Sequence, residues 1–144
     1  MRLSLESILG TATVRAALQR AWQDSEPGVT GGHEEGGFIV QDDANNLTVL
    51  RWPKGLQSSI LLPPHHGCRI GKLRIVASFH THPNTSAEFL QEPSETDKRA
   101  VRDDPDLKDA AYIGELVISQ AVTYLVTPAG QVREVGDTEA ILAG

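Results

Sequence analysis

The chain has 144 residues, 40% of them apolar and 5% aromatic, with 13 Lys and Arg against 19 Asp and Glu for a net charge of −6. That length suits a single domain, 1–144, burying roughly 68–70% of the surface its unfolded chain would expose. The acidic balance, with its singly scattered cations, argues against a nucleic-acid backbone as the main partner. No stretch approaches the roughly 20 apolar residues of a membrane span, and the single cysteine, Cys68, excludes an internal disulfide and a cysteine-based zinc cluster.

In chain order, Glu6 interrupts the apolar character of the first ten residues, so no secretory signal core is expected and the expected compartment is cytoplasmic. Val14, Ala17, Leu18 and Trp22 recur at helical spacing and predict an amphipathic helix over 11–24, capped by Thr11 or Thr13. Residues 25–32, with Pro27 and three glycines, read as a loop. The β-rich runs 36–41 and 47–52 flank the turn-rich 42–46 and predict a hairpin. Residues 55–71 carry Pro63-Pro64 and several glycines and are expected to connect rather than to form a regular element.

The clearest strand is 72–82. Strict alternation assigns Leu73, Ile75, Ala77 and Phe79 to one face and Val76, Ser78, His80 and His82 to the other, with Pro83 ending it. A helix is expected from Pro93-Ser94 to just before Pro105. Runs 114–119, 122–127 and 131–135 predict a three-stranded meander, and 137–143 a short closing helix. Together these elements predict an α/β fold, a mixed and mostly antiparallel sheet flanked by helices.

Within that fold, His80 and His82 project from one strand face about 7 Å apart along the backbone. Asp97 sits in the first turn of the helix that follows. Two imidazoles and one carboxylate are a suitable donor set for a catalytic zinc ion with its fourth position open. A plainer reading stands beside this one. Ser94 and Asp97 also have the outline of a helix capping box, and two histidines on a strand can be no more than a buried pair.

Upstream, "GGHEEGGFIV" places Glu34 and Glu35 just before Gly36-Gly37 and an apolar strand. With His80-x-His82 and Ser94-x-x-Asp97 this order resembles the JAMM motif of the JAB/MPN-domain metallopeptidases, in particular prokaryotic-type members, over about residues 30 to 135. The resemblance implies a JAB/MPN domain of cytidine-deaminase-like architecture binding one Zn²⁺ per chain through His80, His82 and Asp97. It implies a Glu as general base to a zinc-activated water, and Ser94 as donor to the developing oxyanion. The reaction implied is hydrolysis of an amide bond after the C-terminal Gly of a ubiquitin-like protein or conjugate. The alternative within the family is a catalytically inactive binding or scaffold domain, whose members usually lack a motif residue; none is missing here.

The Glu-x-x-Gly register favours Glu34 as the base, with Glu35 as the alternative. Strand parity forbids both from facing the metal. Ser94 is expected to serve either as cap or as oxyanion donor, not fully as both. Eleven residues separate His82 from Ser94, about four more than the eukaryotic members resembled, so 85–92 is expected to form a flap with Phe89 and Leu90 as its apolar anchor. His65 and His66 read as loop residues rather than a second metal site, His33 as solvated, Cys68 as a buried small hydrophobe, Trp22 and Trp52 as packing, and 102–109 as a solvated charged face.

Overall fold

The computed structural model describes residues 3–143. Its centre is a seven-stranded mixed sheet: β1 (Gly36–Gln41), β2 (Leu47–Arg51), β3 (Arg69–Ile70), β4 (Leu73–His82), β5 (Glu115–Ser119), β6 (Val122–Val126) and β7 (Val132–Asp137). The strands lie in the order β2-β1-β4-β5-β6-β7, with β3 paired to the start of β4. Every pairing is antiparallel except β4 with β5, whose crossover carries the helix α3 (Glu95–Arg102). The mixed, mostly antiparallel sheet expected from the chain order is therefore present.

Helices α1 (Leu5–Leu9) and α2 (Ala12–Asp24) and the closing helix α4 (Thr138–Ala143) pack with one face of the sheet. There Val14, Leu18 and Ala21 meet Ile39, Ala77, Phe79, Leu116 and Ile118 in one core. Fully burying a side chain such as Leu18 contributes about 1.5–3 kcal/mol. Trp22 is only half-buried, and Ala21 takes the central place. Thr11 occupies the N-cap position of α2 but its side chain makes no capping bond; its hydroxyl donates instead to the carbonyl of Ser7 at 2.9 Å. The five-residue helix α1 is too short to show periodicity in the sequence. It is held by a Ser4/Ser7 capping box and by the burial of Ile8.

The opposite face carries a second core of Phe38, Val40, Trp52, Ile75, Tyr112 and Val117. Two features of β4 depart from the simple alternation. Residues 69–70, expected to be connecting chain, form β3, and Gly71 in the left-handed region (φ +58) turns it into β4. A bulge shifts the register against β1 between Ile39 and Val40, where their partners step from Ala77 to Ile75. An extra residue reverses which side a strand's neighbours face. Leu73 and Ile75 therefore join the second core and Val76 the first, the reverse of the expected alternation, while Ala77 and Phe79 stay in the first. Beyond the bulge the alternation holds, and Ser78, His80 and His82 share the second-core side. Gly36 and Gly37 leave room for aromatic rings packed over the start of β1. A Cβ on Gly36 would clash with the Trp52 ring, and one on Gly37 would stand 2.8 Å from the Phe79 ring.

Candidate metal centre

The last residues of β4 bring His80 and His82 to the sheet end, 2% and 7% exposed. His80 Nδ1 lies 2.7 Å from Glu115 Oε2, and His82 Nδ1 lies 3.1 Å from the carbonyl oxygen of Gln91. A carboxylate and a carbonyl accept hydrogen bonds, so both Nδ1 atoms carry a hydrogen and both Nε2 atoms face inward, where a cation could take their lone pairs. Those two Nε2 atoms are 3.2 Å apart. Asp97 completes the set, with Oδ1 3.4 Å from His80 Nε2 and Oδ2 3.3 Å from His82 Nε2.

A tetrahedral shell with bonds of about 2.0–2.1 Å has edges of about 3.3–3.4 Å. The inward atoms already stand at that spacing. With neutral imidazoles they would repel one another, and a bound cation relieves the repulsion; in its absence a proton does. The donor set therefore fits a metal ion. The titration behaviour follows the same logic. Burial works against a charged His80, yet Glu115 and Asp97 outweigh it and hold its pKa well above the usual imidazole value. Burial likewise pushes the Asp97 carboxyl up, but hydrogen bonds from His80, His82 and the Ser94 N–H leave it well below the usual carboxylate range.

Glu34, 5% exposed, offers a carboxylate oxygen that lies with ring nitrogens of His80 and His82 in a group mutually within 4.8 Å. This buried cluster can hold a metal ion. Of Asp97 and Glu34, Asp97 stands closer to ligand spacing. Glu34 is fixed by an extended backbone leading into β1: its N–H donates to Leu56 O at 2.7 Å, and its carbonyl accepts from Gly55 at 2.9 Å. Burial raises its pKa to about 7, against the opposing pull of His80 and His82.

No family model, curated protein or solved structure matches this chain. Function is therefore read from the residues themselves.

Glu35, the alternative base, points elsewhere. Its backbone bonds to Thr81, and its carboxylate takes His33 Nε2 at 2.5 Å and Arg51 Nη2 at 2.7 Å. Arg51 continues to Asp24 at 3.2 Å. His33, expected to be solvated, is thus engaged in this ion-pair network, which ties the lead-in of β1 to the end of α2.

Ser94 is the N-cap of α3. Its Oγ accepts from the Asp97 N–H at 3.0 Å, and Asp97 Oδ2 accepts from the Ser94 N–H at 2.8 Å. The capping box thus sets Asp97 in place for the centre. Capping uses a lone pair of the Ser94 hydroxyl and leaves its O–H free to donate, so the expected conflict between cap and donor does not arise.

A cavity of about 230 Å³ is lined by Glu34, His82, Ser94 and Asp97 together with Gln57, Phe89 and Leu90. Phe89 is half-buried and Leu90 exposed. The loop that carries them is pinned at both ends: Asn84 exchanges hydrogen bonds with the backbone of Gly32, and Gln91 supplies the carbonyl that holds His82.

His65 bonds Asp104 at 2.7 Å and the Pro63 carbonyl at 2.9 Å, fastening the 55–71 segment to the short 3₁₀ turn Pro105–Leu107; His66 is exposed. Leu107 is buried and the Asp106 carbonyl accepts from the Cys68 N–H, so the 102–109 cluster is partly structural rather than a solvated face. Cys68 is buried, and burial together with Asp109 and Asp104 pushes its thiol up to about 11. Sequence reasoning missed Glu115 and Gln91. Glu115 carries a signal, being a charged residue at the head of a wholly buried strand. Gln91 contributes a backbone carbonyl, which no residue type announces.

Proposed function

We propose that this chain is a zinc-dependent peptidase or isopeptidase of the JAB/MPN type, cleaving an amide bond after the C-terminal Gly of a ubiquitin-like protein or conjugate. One observation carries the reading: two imidazole Nε2 atoms and the Asp97 carboxylate converge at 3.2–3.4 Å, with both Nδ1 atoms committed outward. His80, His82 and Asp97 would hold the zinc, which when bound supplies Lewis acidity that lowers the pKa of a coordinated water toward about 7.

The remaining steps fall to the chain's own groups. Glu34, with a pKa of about 7, takes the proton of the attacking water and passes it to the amine nitrogen as the C–N bond breaks. Ser94 directs its free O–H at the oxygen on which negative charge develops, a contribution of about 3–4 kcal/mol for one such donor. A Gly-Gly tail suits the cavity because its backbone can approach closely without a Cβ. No helix among the described residues is long and apolar enough to cross a membrane.

The test is metal content and activity measured together. Protein prepared without chelator is expected to hold about one zinc per chain and His80→Ala far less. Glu34→Gln is expected to keep its zinc and lose roughly 100- to 10,000-fold in the rate of cleaving a ubiquitin-like fusion. A parent protein that stays metal-free after zinc loading would overturn the metal centre. Such a metal-free result would favour the non-catalytic binding or scaffold domain, and full zinc content with no cleavage would overturn the assigned ubiquitin-like substrate.

A further inference from the structure

We propose that Glu115 is the positioning residue of the metal centre: it locks His80 in its Nδ1–H tautomer, sets a fixed negative charge behind the ring, and is itself aimed by Ser78 and Tyr112. This inference rests on the metal-centre reading above.

Glu115 opens β5. The parallel register sets it opposite Ser78, two residues before His80, so its side chain rises on the histidine side of the sheet. It is 3% exposed, and both carboxylate oxygens are engaged. Oε2 faces His80 Nδ1 at 2.7 Å, and Oε1 accepts from the Ser78 hydroxyl at 2.8 Å. Since Ser78 gives its hydrogen to Glu115, the 2.7 Å contact between Ser78 Oγ and the Tyr112 hydroxyl is donated by Tyr112. The chain of bonds has one direction, Tyr112 to Ser78 to Glu115, and His80 donates to it from the other end.

A purely structural role does not account for this arrangement. Among the described residues Glu115 has no Lys or Arg partner; its ion-pair partner is His80. A buried carboxylate is costly to desolvate, and a neutral residue of the same shape would fill the space more cheaply. The charge has a use if the imidazole must bind a cation through Nε2. Hydrogen bonding at Nδ1 fixes the ring's orientation and makes its other nitrogen a stronger donor, and loss of such partners typically costs 10- to 100-fold in metal affinity. Ser78 and Tyr112 restrict the carboxylate to the one rotamer that meets the ring.

The experiment is a zinc titration of the full chain against a competing chelator at pH 8, with the melting of the metal-free protein followed in parallel. Glu115→Gln keeps the shape and loses the charge. It is expected to weaken zinc binding about 10- to 100-fold and to alter the visible absorption of the cobalt-loaded protein, whatever the change in melting of the metal-free form, which loses the buried His80 pair. A merely structural Glu115 would leave zinc affinity within about twofold of the parent, which overturns the proposal. Should Glu115→Gln fail to fold, Ser78→Ala decides, because it removes one bond that aims the carboxylate and leaves the charge. A several-fold loss of zinc affinity supports the proposal, and unchanged affinity overturns it. If the parent itself binds no zinc, the metal-centre reading has failed rather than this one.

Discussion

At the scale of single residues, the centre places ionisable groups where folding alone would not. Glu34 is the clearest case, because its carboxyl is buried without a hydrogen-bonding cation of its own while its neighbour Glu35 has two partners. An unfolded Glu titrates near 4.5, and burial raises Glu34 to about 7. Between those values the folded chain keeps a proton that the unfolded chain has released. Stability of the metal-free protein should therefore fall as pH rises from about 4.5 to about 7, and Glu34 should add no further loss above that. The loss is on the order of 3 kcal/mol. Glu34→Gln cannot ionise. In chelator at pH 8 it is expected to be more stable to denaturant than the parent, with the two converging near pH 4. Parallel stability profiles for the two proteins would show that burial does not act on Glu34 in this way. The same substitution that removes the proposed base thus strengthens the fold.

At the scale of elements, the start of α3 joins folding to chemistry. Ser94 caps the helix through Oγ, and the same capping box holds Asp97 toward His80 and His82. Ala and Gly separate the two roles of Ser94. Replacing a capping Ser by Ala costs about 1 kcal/mol, by Gly only a few tenths. Neither residue can donate to an oxyanion. Ser94→Ala and Ser94→Gly should therefore differ in stability but share a fall in kcat of about 100- to 1,000-fold. Both should retain zinc, since the backbone N–H of residue 94 still bonds Asp97. Activity that recovers in Ser94→Gly along with stability would reduce Ser94 to a cap. The capping box was legible in the sequence because all of it lies within four residues. The bulge in β4 was not, because it is a property of how β1 and β4 align, and alternation within one strand cannot report it.

At the scale of the whole molecule, legibility follows distance along the chain. The hairpin of β1 and β2, helix α2, the β5–β7 meander and the inward pair His80/His82 are local patterns of period or turn, and each could be read from neighbouring residues. Glu115 meets His80 only because β5 returns parallel beside β4 after the α3 crossover, a pairing that no local pattern encodes. The same long-range assembly makes a further prediction. The lead-in to β1, the end of β4, the loop through Gln91 and the first turn of α3 converge on one point, and the unfolded chain has no such site. Zinc should therefore bind the folded state preferentially and stabilise it by mass action, by about 4 kcal/mol at a free concentration a thousand times the dissociation constant. For a chain of this size each kcal/mol raises the melting temperature by about 2–4 °C, so zinc should raise it by about 8–16 °C and a chelator should reverse the gain. Asp97→Asn, which keeps the shape but weakens the ligand, should lose most of that rise. Identical melting with zinc and with chelator, measured on the parent by calorimetry, would mean that these converging elements do not form a metal site.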